Sequence, residues 1–525
     1  MKYIYIVFLI VFTNTIIAQK KKIFDLVKDF GAKPDNKTDN YNAFIKAAET
    51  ISQNGGGILN IPKGKYYIAS YKIEGGDEKN NIKDIIFRNC KGLVIYGNNS
   101  TIRVNGKFTR KADFKKPGFN YNYSYTHTVC PFLFINCKDV ILQDIVLYGE
   151  ADKMKKEKGV PEGYNYGVAV YDIMKTDSSK NIILKNIVTH HFATDGIIIS
   201  MNGKNADIIN CKSYCNARQA LSITRGKDIR CYDSSFDSTG NTGSYGAHSP
   251  GAGIDVENEY EDGALRNVSI IKCNIRGNVG FQVVTTLRSE SVKIDSCFIS
   301  DKTGGYSSAL NGIGMLSPNS IMSNSVIYGT FQIDIGGNQY KGDSAQLIRN
   351  NIIYSGLSAF LCASHNRPVN ISNNIIIMLP NPKTDNYFPY IQSTNCIFTN
   401  NLVVIHPDIL AKKPAFTALM QYNKKNSNNF WLLNKVKYSG NIKVPAFYNI
   451  AFHKSNLTDN QFFPINEITN KINVRGKKLL NQNQINNLIS SGIFSAFQQK
   501  KFNKKNLIQA DEVKKRMKKI INSTL

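Results

Sequence analysis

NIILKNIVTHHFATDGIIIS (181–200) is followed at once by a second version of itself, NADIINCKSYCNARQALSIT (205–224). GKDIRCYDSSFDSTG (226–240) and LRNVSIIKCNIRGNVGFQVV (265–284) continue the pattern. Asn186, Asn210 and Asp233 mark equivalent points 24 and 23 residues apart, and Asn351 to Asn374 repeats the step of 23. Each unit consists of short β-branched runs broken by Asn, Gly or Ser, with none of the 3.6-residue apolar period a helix needs. About 23 residues suffice for three short strands and three bends, so each unit reads as one coil of a parallel β-helix, with coils stacked about 4.8 Å apart.

Working outward, KDIIFRNCKGLVIYGNNSTIRV and FINCKDVILQDIVLYGE extend the ladder toward the N-terminus. SIMSNSVIYGTFQIDIGG, AQLIRNNIIYSGLSAF, VNISNNIIIML and NCIFTNNLVVIH extend it toward the C-terminus. Residues 38–53 carry Phe44, Ala47, Ala48 and Ile51 at helical spacing, with Gly55–Gly57 behind them. That predicts an amphipathic helix covering the open apolar end of the solenoid, as terminal caps must. MKYIYIVFLIVFTNTIIAQKKK opens the chain with a lysine, an apolar run and a small residue at Ala18, the pattern of a cleaved secretory signal and not of a membrane span. The expected divisions are a signal peptide (1–18), the solenoid (19–410) and a C-terminal extension (411–525). The extension ends in a helix over ADEVKKRMKKIINS that packs on or caps the coils. A secreted or periplasmic location follows.

The charge balance is +27, from 66 Lys and Arg against 39 Asp and Glu. Such an excess suits an acidic polymer, nucleic acid or an anionic surface. An exported chain with no arginine-rich helix and no aromatic RNA-binding motif points away from nucleic acid. Ten cysteines in 525 residues make no disulfide scaffold. Cys211, Cys231, Cys273 and Cys297 recur near equivalent places in successive units and read as small buried core residues. No Cys or His spacing suggests zinc.

DFGAKPDNKTDNYNAFIKAAETISQNGGGILNIPKGKYYI (29–68) resembles the opening module of the pectate-lyase/polygalacturonase-like superfamily. The resemblance implies an all-β fold: a right-handed parallel β-helix solenoid with an N-terminal capping helix and a small C-terminal tail. It also implies action on polysaccharides. The module contains no catalytic residue, so any reaction must be argued from other positions.

SPGAGIDVENEY (249–260) supplies the first candidates. Alternation along a strand turns Ile254 and Val256 inward and puts Asp255 and Glu257 together on the outer face. Their Cα atoms stand about 6.7 Å apart by strand rise, a spacing open to both retaining and inverting glycoside hydrolysis. Aligning coils on Gly167, Gly196, Ala220, Gly253 and Gly280 places Ser222, Asp255 and Gln282 in one outer column. The same alignment puts Ser200, Thr224 and Glu257 in the next. Two insertions, 149–167 and 237–253, would wall this strip into a groove.

Asp195, in ATDGI, resembles the first aspartate motif of polygalacturonases. Where that family has paired aspartates, this chain has Asn216, Ala217, Arg218 and Gln219. Neither a Gly-His-Gly nor an Arg-x-Lys follows. Asp195 is then a third catalytic candidate or a bonder of turn amides. Arg218 either binds a uronate or sulfate through its planar fork or pairs with a neighbouring Asp. His190 and His191 are adjacent, so only one can face a groove; His191 is the candidate, beside Tyr166 and Tyr164 as sugar-stacking rings. His248 is the weakest candidate.

These residues predict a glycoside hydrolase acting on an acidic glycan. Asp255, Glu257 and Asp195 are its catalytic candidates; Arg218, Gln219, Ser222, Thr224, Gln282, His191 and Tyr166 are its substrate-binding candidates. No metal is expected. The alternative is a polysaccharide lyase working by β-elimination, for which calcium is a possible cofactor. A non-catalytic glycan-binding solenoid is the third reading. The partner expected is a polysaccharide met by a monomer with no integral membrane segment. Outward-facing Asp255 and Glu257 should be replaceable with little effect on stability.

Overall fold

The computed structural model describes residues 22–74, 82–105, 111–115, 122–154, 166–243, 246–259, 265–286, 288–300, 312–328, 331–335, 346–355, 360–364, 368–378, 390–393 and 396–405, and beyond these only short strands ending at 464. The signal segment, Tyr164 and the expected C-terminal helix lie outside the described residues.

The described chain winds into a parallel β-helix with three faces. Face I stacks Ile86–Arg88, Phe132–Ile135, Val168–Tyr171, the first halves of Asp195–Ile209 and Gln219–Tyr232, then Ile254–Val256, Val283–Thr285 and Ile313–Met315. Face II runs through Ile58–Asn60, the second halves of the two long strands, Leu265–Ile271 and Glu290–Asp295. Face III includes Lys65–Ile68, Lys212–Tyr214, Ser235–Asp237 and Asn274–Arg276. These pairings are parallel and in register, because one face of every strand is apolar and a one-residue slip would expose it. The inward column of face I, Val168, Ile197, Leu221, Ile254, Val283 and Ile313, is fully buried. Each such aliphatic side chain contributes about 1.5–3 kcal/mol by leaving water.

The marker residues of the repeat have a backbone cause. Asn186, Asn210 and Asp233 have φ of 53°, 50° and 49°, and Lys272, Ser296, Asn324, Asn350, Asn373 and Asn400 continue the left-handed bend between faces II and III. Asn and Asp tolerate that conformation better than other side chains, so they recur once per coil. Beside this bend, Asn351, Asn374 and Asn401 form a buried amide ladder. Asn351 Nδ2 donates to Asn374 Oδ1 at 3.1 Å, and Asn374 Nδ2 donates to Asn401 Oδ1 at 3.0 Å. Cys211, Cys273 and Cys297 occupy the same corner in earlier coils, whereas Cys231 lies within a strand; all four are buried and free.

Helix α1 spans Tyr41–Gln53 and buries Phe44, Ala47, Ala48 and Ile51. Phe44 meets Tyr66 and Phe132 edge-on, with centroids 6.1 and 6.5 Å away. The helix starts later than its periodicity suggests because Asp35–Asp39 is a strand paired with Lys65–Ile68. Asp39 Oδ1 then accepts the Tyr41 N–H at 3.0 Å, turning the chain into the helix. Among the described residues, no helix is long and apolar enough to cross a membrane. Strands Phe430–Leu433 and Gln461–Pro464 still pair in parallel, so the ladder runs past the boundary expected at 410.

Connections from face III to face I span 69–85, 105–131, 149–167, 238–253 and 301–312. Two of them supply a small antiparallel sheet of Tyr71–Glu74, Lys111–Lys115 and Asn122–Thr128. Both insertions singled out in the sequence leave from this corner.

Candidate active site

Asp255 lies at the centre of the short strand Ile254–Val256, opposite Ser222 on the preceding coil and Val284 on the following one. It points away from the solenoid core yet is only 4 % exposed. Outward on a strand therefore does not mean solvated here, and the expectation of a surface acid pair fails for Asp255. Glu257 is exposed, its backbone N–H donating to Ile223 O at 3.1 Å. The two acids are thus unequal.

Burial pushes the Asp255 carboxyl well above the usual range, and the nearby charges of Glu257, Asp195 and Glu259 push the same way, against the pull of Arg218. One oxygen, Oδ2, accepts from Gln219 Nε2. The other, Oδ1, is buried with no hydrogen-bond partner among the described residues. A buried carboxylate with an orphan oxygen is costly, whereas a neutral carboxylic acid is tolerable.

Asp195 opens its strand at the corner between faces III and I and is wholly buried. Arg218 Nε donates to Oδ1 at 2.8 Å and Nη2 to Oδ2 at 2.5 Å, a fork-to-fork pair; Ser222 Oγ lies within hydrogen-bond reach of Oδ2 at 3.0 Å. Both oxygens are used, so Asp195 holds Arg218 instead of presenting a free acid. Ser222 Oγ also contacts Gln219 Oε1. Arg218, Asp195, Ser222, Gln219 and Asp255 therefore form one continuous polar chain across three coils.

Gln282 does not belong to it. The structural register matches Val284 to Asp255 and Val283 to Ile254, two residues away from the alignment on Gly280. Gly280 is glycine for another reason: a Cβ there would sit 1.6 Å from Pro250 O in the 238–253 connection. Gln282 instead binds Asn278, its Oε1 accepting from Asn278 Nδ2 at 2.9 Å and its Nε2 donating to Asn278 O at 3.1 Å. Thr224 falls at a register shift, where Ile199 pairs with Ile223 but Ser200 with Arg225. Its Oγ1, like Ser200 Oγ, is buried without a partner. Ser200, placed by the sequence in the same outer column, is buried as well.

His191 belongs to a different cluster. Its Nδ1 shares a hydrogen bond of 2.8 Å with His190 Nδ1, and its ring stands edge-on to Tyr148 and Tyr214. Among the described residues no hydrogen bond ties it to the acid chain. Tyr166 is half-buried against an apolar patch of Cys130, Ala169 and Ile198 on the outer side of face I. His248 is buried, its backbone N–H bonded to Ala217 O at 2.8 Å. Among the described residues no group of three or more His, Cys, Asp or Glu side chains is arranged to hold a metal ion.

No family model matches the chain. It is similar to alginate lyase 7 of Azotobacter vinelandii, with 28% identity over 224 residues, covering 39% of this chain and 24% of that protein. The chain thus spans about a quarter of the length of the curated relative it matches. Among solved structures, it is similar to the A-module of the mannuronan C-5 epimerase AlgE6 of Azotobacter vinelandii, with TM-score 0.37, 16% identity and coverage of 84% and 100%. It is similar to the tailspike protein of Escherichia coli bacteriophage HK620, with TM-score 0.47, 13% identity and coverage of 87% and 77%. It is also similar to PfbA, a surface adhesin of Streptococcus pneumoniae, with TM-score 0.46, 14% identity and coverage of 84% and 91%.

Proposed function

We propose that the chain is an exported enzyme that cleaves an acidic polysaccharide by glycoside hydrolysis, with Asp255 as proton donor and Glu257 as the second carboxylate. The observation that carries this reading is the inequality of the pair. Asp255 is buried, pushed toward its neutral form, and has an unpartnered oxygen, while Glu257 two residues on is exposed. Two carboxyls whose environments differ in this way suit an acid and a base or nucleophile. In the bond-breaking step the Asp255 O–H bond breaks and its proton passes to the leaving glycosidic oxygen. Glu257 either attacks the anomeric carbon or takes a proton from the attacking water. The positive balance of +27 favours an anionic glycan.

A second reading is favoured by the relative named an alginate lyase. There a base removes the proton next to a uronate carboxylate, the bond to the leaving oxygen breaks, and a double bond forms in the product. Neutral Asp255 would stabilise the uronate carboxylate by donating a hydrogen bond to it.

Incubation with alginate, pectate and sulfated glycans, with and without calcium, tests both. Reducing ends without new ultraviolet absorbance are expected for hydrolysis. Reducing ends with absorbance would replace it with elimination. Neither signal on any glycan, with binding retained, would leave a glycan-binding solenoid.

A further inference from the structure

We propose that Gln219 is a positioning residue that fixes which oxygen of Asp255 carries the acid's proton, and so aims the acid; this rests on the proton-donor reading of Asp255 above. Gln219 was expected to meet the glycan itself. Instead it is buried, 4 % exposed, and its two polar ends are committed within the protein. Nε2 donates to Asp255 Oδ2, and Oε1 accepts from Ser222 Oγ.

The structure orients that amide with Nε2 toward Asp255 and Oε1 toward Ser222, and the hydrogens can be placed to match. Ser222 has one hydroxyl hydrogen and two acceptors in reach, Asp195 Oδ2 and Gln219 Oε1. Asp195 Oδ2 already receives Arg218 Nη2, and Oδ1 receives Arg218 Nε. With Oε1 on that side and no other donor to it among the described residues, the Ser222 hydrogen goes to Oε1, while Nε2 faces Asp255. In a carboxylic acid the carbonyl oxygen is the stronger acceptor, so an N–H on one oxygen favours the proton on the other. The proton is then left on Oδ1, the oxygen with no partner. Burial, with the neighbouring charge of Glu257, favours the neutral form of Asp255, the form that has a proton to aim.

The arrangement also favours the reaction. Once Oδ1 has given its proton to the leaving oxygen, Asp255 becomes a carboxylate, and an N–H on Oδ2 bonds the charged form more strongly than the neutral one. Had the amide been turned, its Oε1 would accept the Asp255 proton and tie it up.

Infrared difference spectra in heavy water decide the point without any assay of activity. Wild type minus Asp255→Asn isolates the carbonyl stretch of neutral Asp255. In Gln219→Leu, which keeps bulk and loses the donor, that band should move to higher frequency, because its carbonyl oxygen has lost a hydrogen bond. Ser222→Ala frees the amide to turn and should disturb the same band; it carries the test if Gln219→Leu does not fold. On whichever glycan is cleaved, Gln219→Leu should lower kcat about 10- to 100-fold with KM unchanged. A missing band in wild type, or an unmoved band in both variants, overturns the proposal. So does a raised KM with kcat intact, which would make Gln219 a substrate binder. Failure to cleave any glycan would overturn the hydrolase reading and leave the infrared result decisive for Gln219.

Discussion

The imidazole of His190 lies face to face with the ring of Tyr214, centroids 5.0 Å apart and 5° from parallel, and with Tyr148 on its other side at 4.8 Å. These residues are in register on successive coils of face III. His191 faces the stack edge-on, Tyr148 OH donates to Asp152 at 2.8 Å, and Lys153 lies 5.2 Å from the Tyr148 ring. Burial, with His191 second, lowers the His190 pKa to about 4, against the opposing pull of Asp152. The unfolded chain takes up this proton near pH 6.5, whereas the folded chain resists it until about pH 4. Stability should therefore fall as pH drops through that window, by on the order of 2 kcal/mol given the partial exposure of the ring. His190→Phe, which keeps the stack, should show a flatter curve of Tm against pH than wild type between 7 and 4. Parallel curves would remove His190 as the cause.

Asp255 acts in the opposite direction. Its folded pKa is raised, so the stability tied to its protonation is present at low pH and is lost as pH rises above the unfolded value of 3.8 and through the folded one. Asp255→Asn should raise stability at neutral pH by about 1–3 kcal/mol, because a buried site shaped for chemistry is relieved of its ionisable group. Turnover should fall about 10²- to 10⁴-fold. Denaturant melts at pH 4 and pH 8 check the first; an unchanged difference between them would contradict it.

Glu257→Gln should separate the two acids. Glu257 is exposed, so stability should stay within about 0.5 kcal/mol of wild type while turnover falls. Full activity in this variant would require another group as base or nucleophile.

Of the two roles the sequence leaves open for Arg218, glycan binder or partner of a neighbouring Asp, the structure shows the second, so Arg218→Lys should change stability. The guanidinium fork holds a fully buried Asp195 with two bonds, and Lys cannot reproduce them. A loss of about 1–3 kcal/mol is expected for the variant, and more for Arg218→Ala, which strands a buried charge. Thermal unfolding measures both, and an unchanged Tm for Arg218→Ala would show that the pair is not formed in solution.

Asn374→Ala should cost about 2–4 kcal/mol, since it leaves Asn351 and Asn401 each short of a buried partner. Hydrogen exchange should rise in the adjoining coils alone, since contacts in a solenoid reach only to the neighbours. Loss of protection across all coils would instead indicate global unfolding.

The coil was legible because its causes are local. A left-handed bend selects Asn or Asp once per turn, and alternating Val and Ile fill an inward column; both leave marks at fixed spacing. The acids at 255 and 257 could be found for the same reason, as polar residues on an alternating strand. Their inequality could not, because the surroundings of Asp255 are residues of other coils, Gln219 and Ser222 on one side and Val284 on the other. Gln282 was misplaced because a glycine can be required by a close approach, as Gly280 is by Pro250, as well as by a turn. The Asp195–Arg218 pair spans 23 residues of sequence and one step of the ladder, so only the register revealed it.

The crowding of connections at the corner between faces III and I gives the protein a division of labour. Coils hydrogen-bond along the axis, and a connection that leaves and returns at one corner does not alter their register. Doubling the length of such a connection adds only about 0.6 kcal/mol of closure cost. The rungs can therefore be inherited intact while the corner is rewritten, so an insertion such as the 238–253 connection can change in length or sequence over unchanged coils.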